Sequence, residues 1–265
     1  MNKKKILLEI ALLASFLLIF SACHSKKNDT NHSIKESTSM TTDKNNTKQS
    51  NESKESNTMN TVKAASQSFP AGTLIQAVNN NDFAQVQAIL VDENYSIDEV
   101  NAQGETPLLI ATHQNFIGIA KQLIDAGADI NVQDHISDSP YLYAGAQGKT
   151  EILTCMLEKQ VPNQQKVNRF GGNALIPAAE KGHLENVKLL LKDGRVAINH
   201  QNNYGYTALI EAVALRDGSE IYQQIVDVLL ESGADKTLKD NTGRTAEDYA
   251  RSLGYTEMLN SLNAY

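Results

Sequence analysis

Apolar and polar positions fall into three patterns along the 265-residue chain. An apolar run over residues 6–20, with Glu9 its one charge, follows Lys3, Lys4 and Lys5. Residues 24–68 then carry almost no large apolar side chain, and from residue 69 apolar positions return in short paired bursts. Around Asn173 the pairing is plain: Ala174 opens a first helix in which Leu175, Ala178 and Ala179 share a face, and Gly182 and His183 turn the chain. Leu184, Val187, Leu190 and Leu191 follow, again at helical spacing. The pattern predicts two short antiparallel helices. Their Leu and Val stripe has nowhere to be buried within one pair, so it must stack on the next, and the alanines let neighbouring helices come close. Pro177 is tolerated because it falls in the first turn, where its missing N–H has no helical partner to lose.

The burst recurs as TPLLIATHQN from Thr106, SPYLYAGAQG from Ser139, NALIPAAEKG from Asn173, TALIEAVALR from Thr207 and TAEDYARSLG from Thr245, with starts 33, 34, 34 and 38 residues apart. A degenerate copy, GTLIQAVNNN, begins 34 residues before the first of these, at Gly72. Gly104, Gly171, Gly205 and Gly243 each stand two residues before the next start, where a tight finger needs positive φ. Gly127-Ala128-Asp129 and Gly233-Ala234-Asp235 close second helices with a left-handed glycine. A period near 33 residues with a T-P-L start resembles the ankyrin-repeat family. The resemblance implies an all-α repeat solenoid over residues 69–265, about six copies including caps, each a helix-turn-helix plus a β-hairpin finger.

The family's T-P-L-H histidine is replaced by Leu109, Leu142, Ile176 and Ile210. The third copy departs furthest, with Tyr141 for the leucine, Ser137 for the finger glycine and Gln160-Val161-Pro162 for Gly-Ala-Asp, and is expected to be locally irregular. The fifth carries five extra residues around LRDGSEIYQ, either a binding insertion on an exposed face or a tolerated loop. Polar residues in the first copy (Asn79, Asn80, Asn81, Asp82, Gln85) and the last (Glu247, Arg251, Glu257, Asn260) mark end caps.

The N-terminal pattern has its own reading. At ~1.5 Å per residue the apolar run spans roughly 23 Å, short of a ~30 Å hydrocarbon core, and with its lysines it reads as a signal segment over residues 1–22. Phe20-Ser21-Ala22-Cys23 resembles a bacterial lipobox, with Phe20 where an aliphatic residue is usual. The resemblance implies that Cys23 is acylated after cleavage and anchors the chain to the extracytoplasmic face of a cell membrane, as in a Gram-positive bacterium. The composition of the following stretch, to residue 68, predicts a disordered polar tether averaging roughly 40 Å end to end.

Charge then narrows the function. Residues 69–265 hold 14 basic against 25 acidic side chains, net −11, which disfavours nucleic acid and favours a basic partner. No catalytic motif, no metal motif and no phosphate loop occurs, so no cofactor is expected. His113, His135, His183 and His200 are scattered, Cys155 lies on a second helix away from Cys23, and the acid pairs Asp92-Glu93 and Asp98-Glu99 read as solvated surface. The expected role is a monomeric, membrane-held module that binds another protein, with stabilisation of an envelope enzyme as the alternative. The family's usual surface, finger tips and inner ends of first helices, maps here to Gln103, Glu105, His113, Gln114, His135, Ile136, Asp138 and Gln147. It continues through Arg169, Phe170, Glu180, Lys181, Asn203, Tyr204, Tyr206 and Leu215 to Arg244. Arg169, Phe170, Tyr204 and Tyr206 are of types enriched at binding hot spots, unless neighbouring fingers simply stack on them.

Overall fold

The computed structural model describes residues 68–265, and the expected signal segment, Cys23 and the expected tether lie outside them. Helices form in pairs: α1 (Thr73–Asn79) with α2 (Phe83–Leu90), α3 (Pro107–Gln114) with α4 (Ile117–Asp125), and α5 (Pro140–Ala146) with α6 (Thr150–Lys159). The series continues with α7 (Leu175–Glu180) and α8 (Leu184–Asp193), α9 (Ala208–Ala214) and α10 (Glu220–Glu231), and α11 (Ala246–Leu253) and α12 (Thr256–Ala264). First helices pack in sequence to make one layer and second helices make the other. Such short helices are marginal alone and persist because each buries its apolar face between neighbours.

The starts predicted from the repeat are helix caps, buried at Thr106, Ser139, Asn173 and Thr207. The hydroxyls of Thr106, Ser139, Thr207 and Thr245 accept the N–H three residues on, at 3.1 to 3.2 Å, and Asn173 Oδ1 accepts from Ile176 N at 3.2 Å. Each satisfies an orphan donor of the first turn. Between the layers Leu175, Val187, Leu190, Leu209 and Leu229 are buried. The small residues set the spacing: a Cβ on Gly145 of α5 would lie 2.8 Å from the Ala174 Cβ.

Five fingers link the pairs, at residues 101–105, 134–138, 168–172, 202–206 and 240–244, and are numbered 1 to 5. They differ from the expected β-hairpins, since the described residues contain no strand. Each is a single hydrogen-bonded turn, too short for a ladder. In finger 1 Asn101 N donates to Glu105 O at 3.1 Å and Gly104 N to Asn101 O at 3.0 Å, and the other four repeat both bonds. The glycines take φ of +76° to +84° as required, and in finger 2 Ser137 is forced to +66°.

The third copy is irregular at its end too. Gln160 is extended instead of closing α6 with a glycine, and Arg195 caps the free carbonyls, its guanidinium donating to Gln160 O at 2.9 Å and Leu157 O at 2.8 Å. The inserted segment of the fifth copy is pinned: the Arg216 guanidinium binds Glu180, and Tyr255 Oη donates to Arg216 O. One expectation is corrected here. Asp98 and Glu99 are no solvated acid pair, because Asp98 accepts from Asp129 N at 3.0 Å and Glu99 accepts from Ile75 N, also at 3.0 Å, and from Gly72 N. They tie the first copy to its own helix start and to the next repeat.

Candidate protein-binding surface

Each finger is built on one Asx side chain. Asn101, Asp134, Asn168, Asn202 and Asp240 each accept, through Oδ1, the backbone N–H groups two and four residues on, at 2.8 to 3.0 Å. These five recur in step with the helix starts, a signal that could have been read from the sequence. The base satisfies the turn internally, so the side chain two residues after the Asx is not needed to close it.

Fingers also bond one another through backbone. His135 N donates to Gln103 O at 3.0 Å, Asn203 N to Phe170 O at 2.9 Å and Asn241 N to Tyr204 O at 3.1 Å. His135 and Asn203 therefore serve partly to stack fingers, their side chains seated on Gly104 and Gly171. Between fingers 2 and 3 no such backbone bond is found, and Arg169 reaches Asp138 at 3.3 Å instead. Burial raises the Asp138 carboxyl above its ordinary value, and Arg169 opposes that rise.

The tips themselves separate into two groups. Ile136, Phe170 and Tyr204 occupy the same position in three consecutive fingers and are 53%, 43% and 46% exposed. Arg169 lies over the Phe170 ring, 5.1 Å from its centroid. Gln103, at the equivalent position of finger 1, is exposed and polar. Tyr206, by contrast, turns inward: its ring meets Tyr249 edge-on at 6.2 Å, with the two hydroxyls 3.2 Å apart. Arg244 lies 4.1 Å over the Tyr249 ring, so it too braces the last finger, and Leu215 packs on the core. These three sequence-predicted contacts are structural in large part.

The ends of the first helices face the fingers. His113 Nδ1 lies 3.0 Å from Glu105, its ring packs tilted against Tyr143 with centroids 4.1 Å apart, and its buried Nε2 has no partner. Gln114 is exposed at the end of α3, and Gln147 and Lys181 are half-buried just past α5 and α7. Burial lowers the Lys181 ammonium below its ordinary value. Tyr143, Glu211 and Tyr249 were missed in the sequence. All three stand four residues after a cap, the position from which a first helix reaches its finger: Tyr249 Oη donates to Asp240 Oδ2 at 2.5 Å, and Glu211 Oε1 accepts from Asn202 Nδ2 at 2.9 Å. Burial would raise Asp240, but the Tyr249 bond and the backbone donors of its own finger hold it below the usual range. For Glu211 the opposing pull of Arg216 and the Asn202 bond is too small, and burial first, then the nearby Glu180, pushes it up to about 8.

Among the described residues no three His, Cys, Asp or Glu side chains come together to hold a metal. Cys155, buried on α6, is held above its ordinary thiol value by that burial. The arrangement offers shape, aromatic area and paired charge.

Known proteins share this architecture. The family model for ankyrin repeats (3 copies) matches residues 54–134, 74–165 and 141–240. A putative ankyrin repeat protein of Escherichia coli K12, YahD, is 38% identical over 196 residues, covering 74% of this chain and 96% of its own. A putative ankyrin repeat protein of fowlpox virus, FPV031, is 31% identical over 164 residues but is matched over only 46% of its length. The crystal structure of EF0377, an ankyrin repeat protein, superposes with a TM-score of 0.74 at 60% identity, covering 75% of this chain and all of that one. An ankyrin repeat domain from Acinetobacter baumannii AYE follows at 0.70 and 46% identity, over 73% of this chain and 97% of its own.

Proposed function

Because the chain belongs to the ankyrin-repeat family, whose repeats serve protein–protein binding, we propose that it is an interaction module whose partner protein docks across the tips of fingers 2, 3 and 4 and the facing ends of the first helices. The observation that carries this is the exposed row of Ile136, Phe170 and Tyr204, held at one repeat's spacing on turns whose backbone is already satisfied. Rigid apolar tips lose little freedom on binding, which is why such residues dominate interface energetics. The partner is read as basic overall. The domain's acidic excess includes Asp125, Glu151, Glu158, Glu185, Glu220, Asp227 and Glu231 on second helices, so it acts through the long-range field that speeds encounter.

The test is a photo-crosslinking side chain at position 204 in living cells, followed by titration of the captured protein against wild type and a combined Ile136→Ala, Phe170→Ala, Tyr204→Ala variant. Affinity should fall by at least ~2 kcal/mol with thermal melts unchanged. Equal affinity for the two proteins defeats this site. The same reading holds the module on the extracytoplasmic membrane face through acylated Cys23, supported by the tetrad it ends. A fatty-acid probe should label the wild type and not Cys23→Ser; label persisting in that variant refutes the anchor.

A further inference from the structure

We propose that Glu211, with Glu180 beside it, is the receptor for one cationic side chain of the docking protein, a lysine or arginine entering between fingers and first helices; this deepens the fingertip reading and rests on it. The position is unlike its equivalents. Four residues after the cap the other repeats carry Gln76, Ile110, Tyr143, Pro177 and Tyr249, none of them a carboxyl. Only the fifth copy places a carboxyl there, 5% exposed. Its Oε1 is satisfied by Asn202, while Oε2 is sealed from solvent with no donor. A sealed carboxyl oxygen without a donor is destabilising, and leucine at this position would serve the stack better.

Among the described residues no lysine or arginine forms an ion pair with Glu211 itself. Arg216, from the connection between α9 and α10, gives its guanidinium to Glu180, and its buried Nε has no acceptor. One arginine thus faces two acids without completing either set of bonds. Glu180 and Arg216 keep 19% and 28% of their side-chain exposure, so the cluster opens to solvent on their side. The other titratable groups facing it are Lys181 just past α7, lowered by burial and interacting with Glu180 and Arg216, and three phenols: Tyr206 of finger 4, Tyr249 of α11 behind it, and Tyr222 of α10 beside Arg216. All three phenols are held above their ordinary value by burial, which leaves the range between about pH 5 and about pH 9 clear of them.

A proton linkage follows. Glu211 at about 8 is largely neutral at pH 7, and a bound cation favours the carboxylate, so binding expels a proton. Affinity for the cation therefore rises with pH, by up to ~10-fold per unit, and levels off above the Glu211 midpoint.

The experiment uses the full-length chain with 13C-carboxyl glutamate, titrated between about pH 6 and about pH 9 in methylguanidinium chloride or in tetramethylammonium chloride of equal ionic strength. Tetramethylammonium carries charge but no N–H. The Glu211 midpoint should fall by about one unit in methylguanidinium only, and Glu211→Gln should bind the probe at least ~10-fold more weakly. The paired Phe170→Ala, Tyr204→Ala variant should bind it as wild type does, so loss of partner binding at the tips and failure of the acid site are told apart. Identical midpoints in the two salts overturn the proposal. So does undiminished binding by Glu211→Gln, while the wild-type midpoint decides the matter without any variant.

Discussion

The two helix layers and the row of fingers face the same task, joining one repeat to the next, and use different chemistry for it. The layers join through apolar area: Leu190, Val187, Leu175 and their equivalents are sealed between neighbours, with alanine and glycine setting the separation. The fingers join through one backbone hydrogen bond at three of their four junctions, with Arg169 reaching Asp138 at the other, and are satisfied internally by an Asx side chain. Apolar burial is non-directional and grows with area, whereas a turn closed on itself needs nothing from its tip residue. Stability is thereby confined to the helices, and the tips are left free to vary for recognition.

The largest effect that separates the two regions should come from the layers. Leu190, 1% exposed on α8, packs where no solvent can fill the space left by truncation. Leu190→Ala should lower unfolding free energy by about 2 to 5 kcal/mol in chemical denaturation. A loss below ~1 kcal/mol would show that the layers pack loosely, and the comparison would fail at its stronger end.

A sharper cut lies within one finger. Tyr204 and Tyr206 are two residues apart on finger 4 and belong to different regions. Tyr204 stands 46% exposed, whereas Tyr206 is half-buried, stacked edge-on against Tyr249 and joined to its hydroxyl. Tyr206→Ala should cost about 1 to 3 kcal/mol through lost area and the broken hydroxyl pair. Tyr204→Ala should stay within about ±0.5 kcal/mol, as surface changes do. Equal losses would mean that the tips are stacking residues and that the binding surface lies elsewhere.

What was legible in the sequence divides along the same line. Helical spacing of Leu and Val marked the layers because burial there depends on position within a single repeat, and the finger glycines followed from φ alone. The Asx bases recur as regularly, but Asn and Asp are common in any loop, so their role emerges only when the five copies are superposed. Tyr206, Arg244 and Leu215 were matched by position to tips, yet their burial depends on Tyr249 and the core of the following repeat. Glu211 was silent for a related reason. An acid on a short helix reads as solvent-facing, and what buries it is the packing of Asn202, Glu180 and Arg216 from three other segments. Asp98 and Glu99 were misread likewise, since a carboxylate's backbone partners 24 to 31 residues away leave no local mark.

The smallest expected effect tests whether the fingers contribute any stability of their own. Finger 2 is the one whose fourth residue is not glycine, and Ser137 pays steric strain there at φ +66°. Its main chain is fully used: the N–H donates to Asp134 O at 3.1 Å and the carbonyl accepts from Gln133 Nε2 at 2.9 Å. Both bonds survive removal of the side chain. Ser137→Gly should therefore relieve roughly 1 to 2 kcal/mol of left-handed strain, offset by the ~0.5 to 1 kcal/mol that glycine's greater freedom in the unfolded chain withdraws. A net gain of about 0.5 to 1 kcal/mol in denaturant titration is expected. The gain should appear without any change in partner affinity, because Ile136 keeps its place on the same turn. If Ser137→Gly instead destabilises the domain, the serine side chain must be holding finger 2 against Arg169 and finger 3 across the junction that lacks a backbone bond, and finger-to-finger contact would then count as a source of stability beside the helix layers.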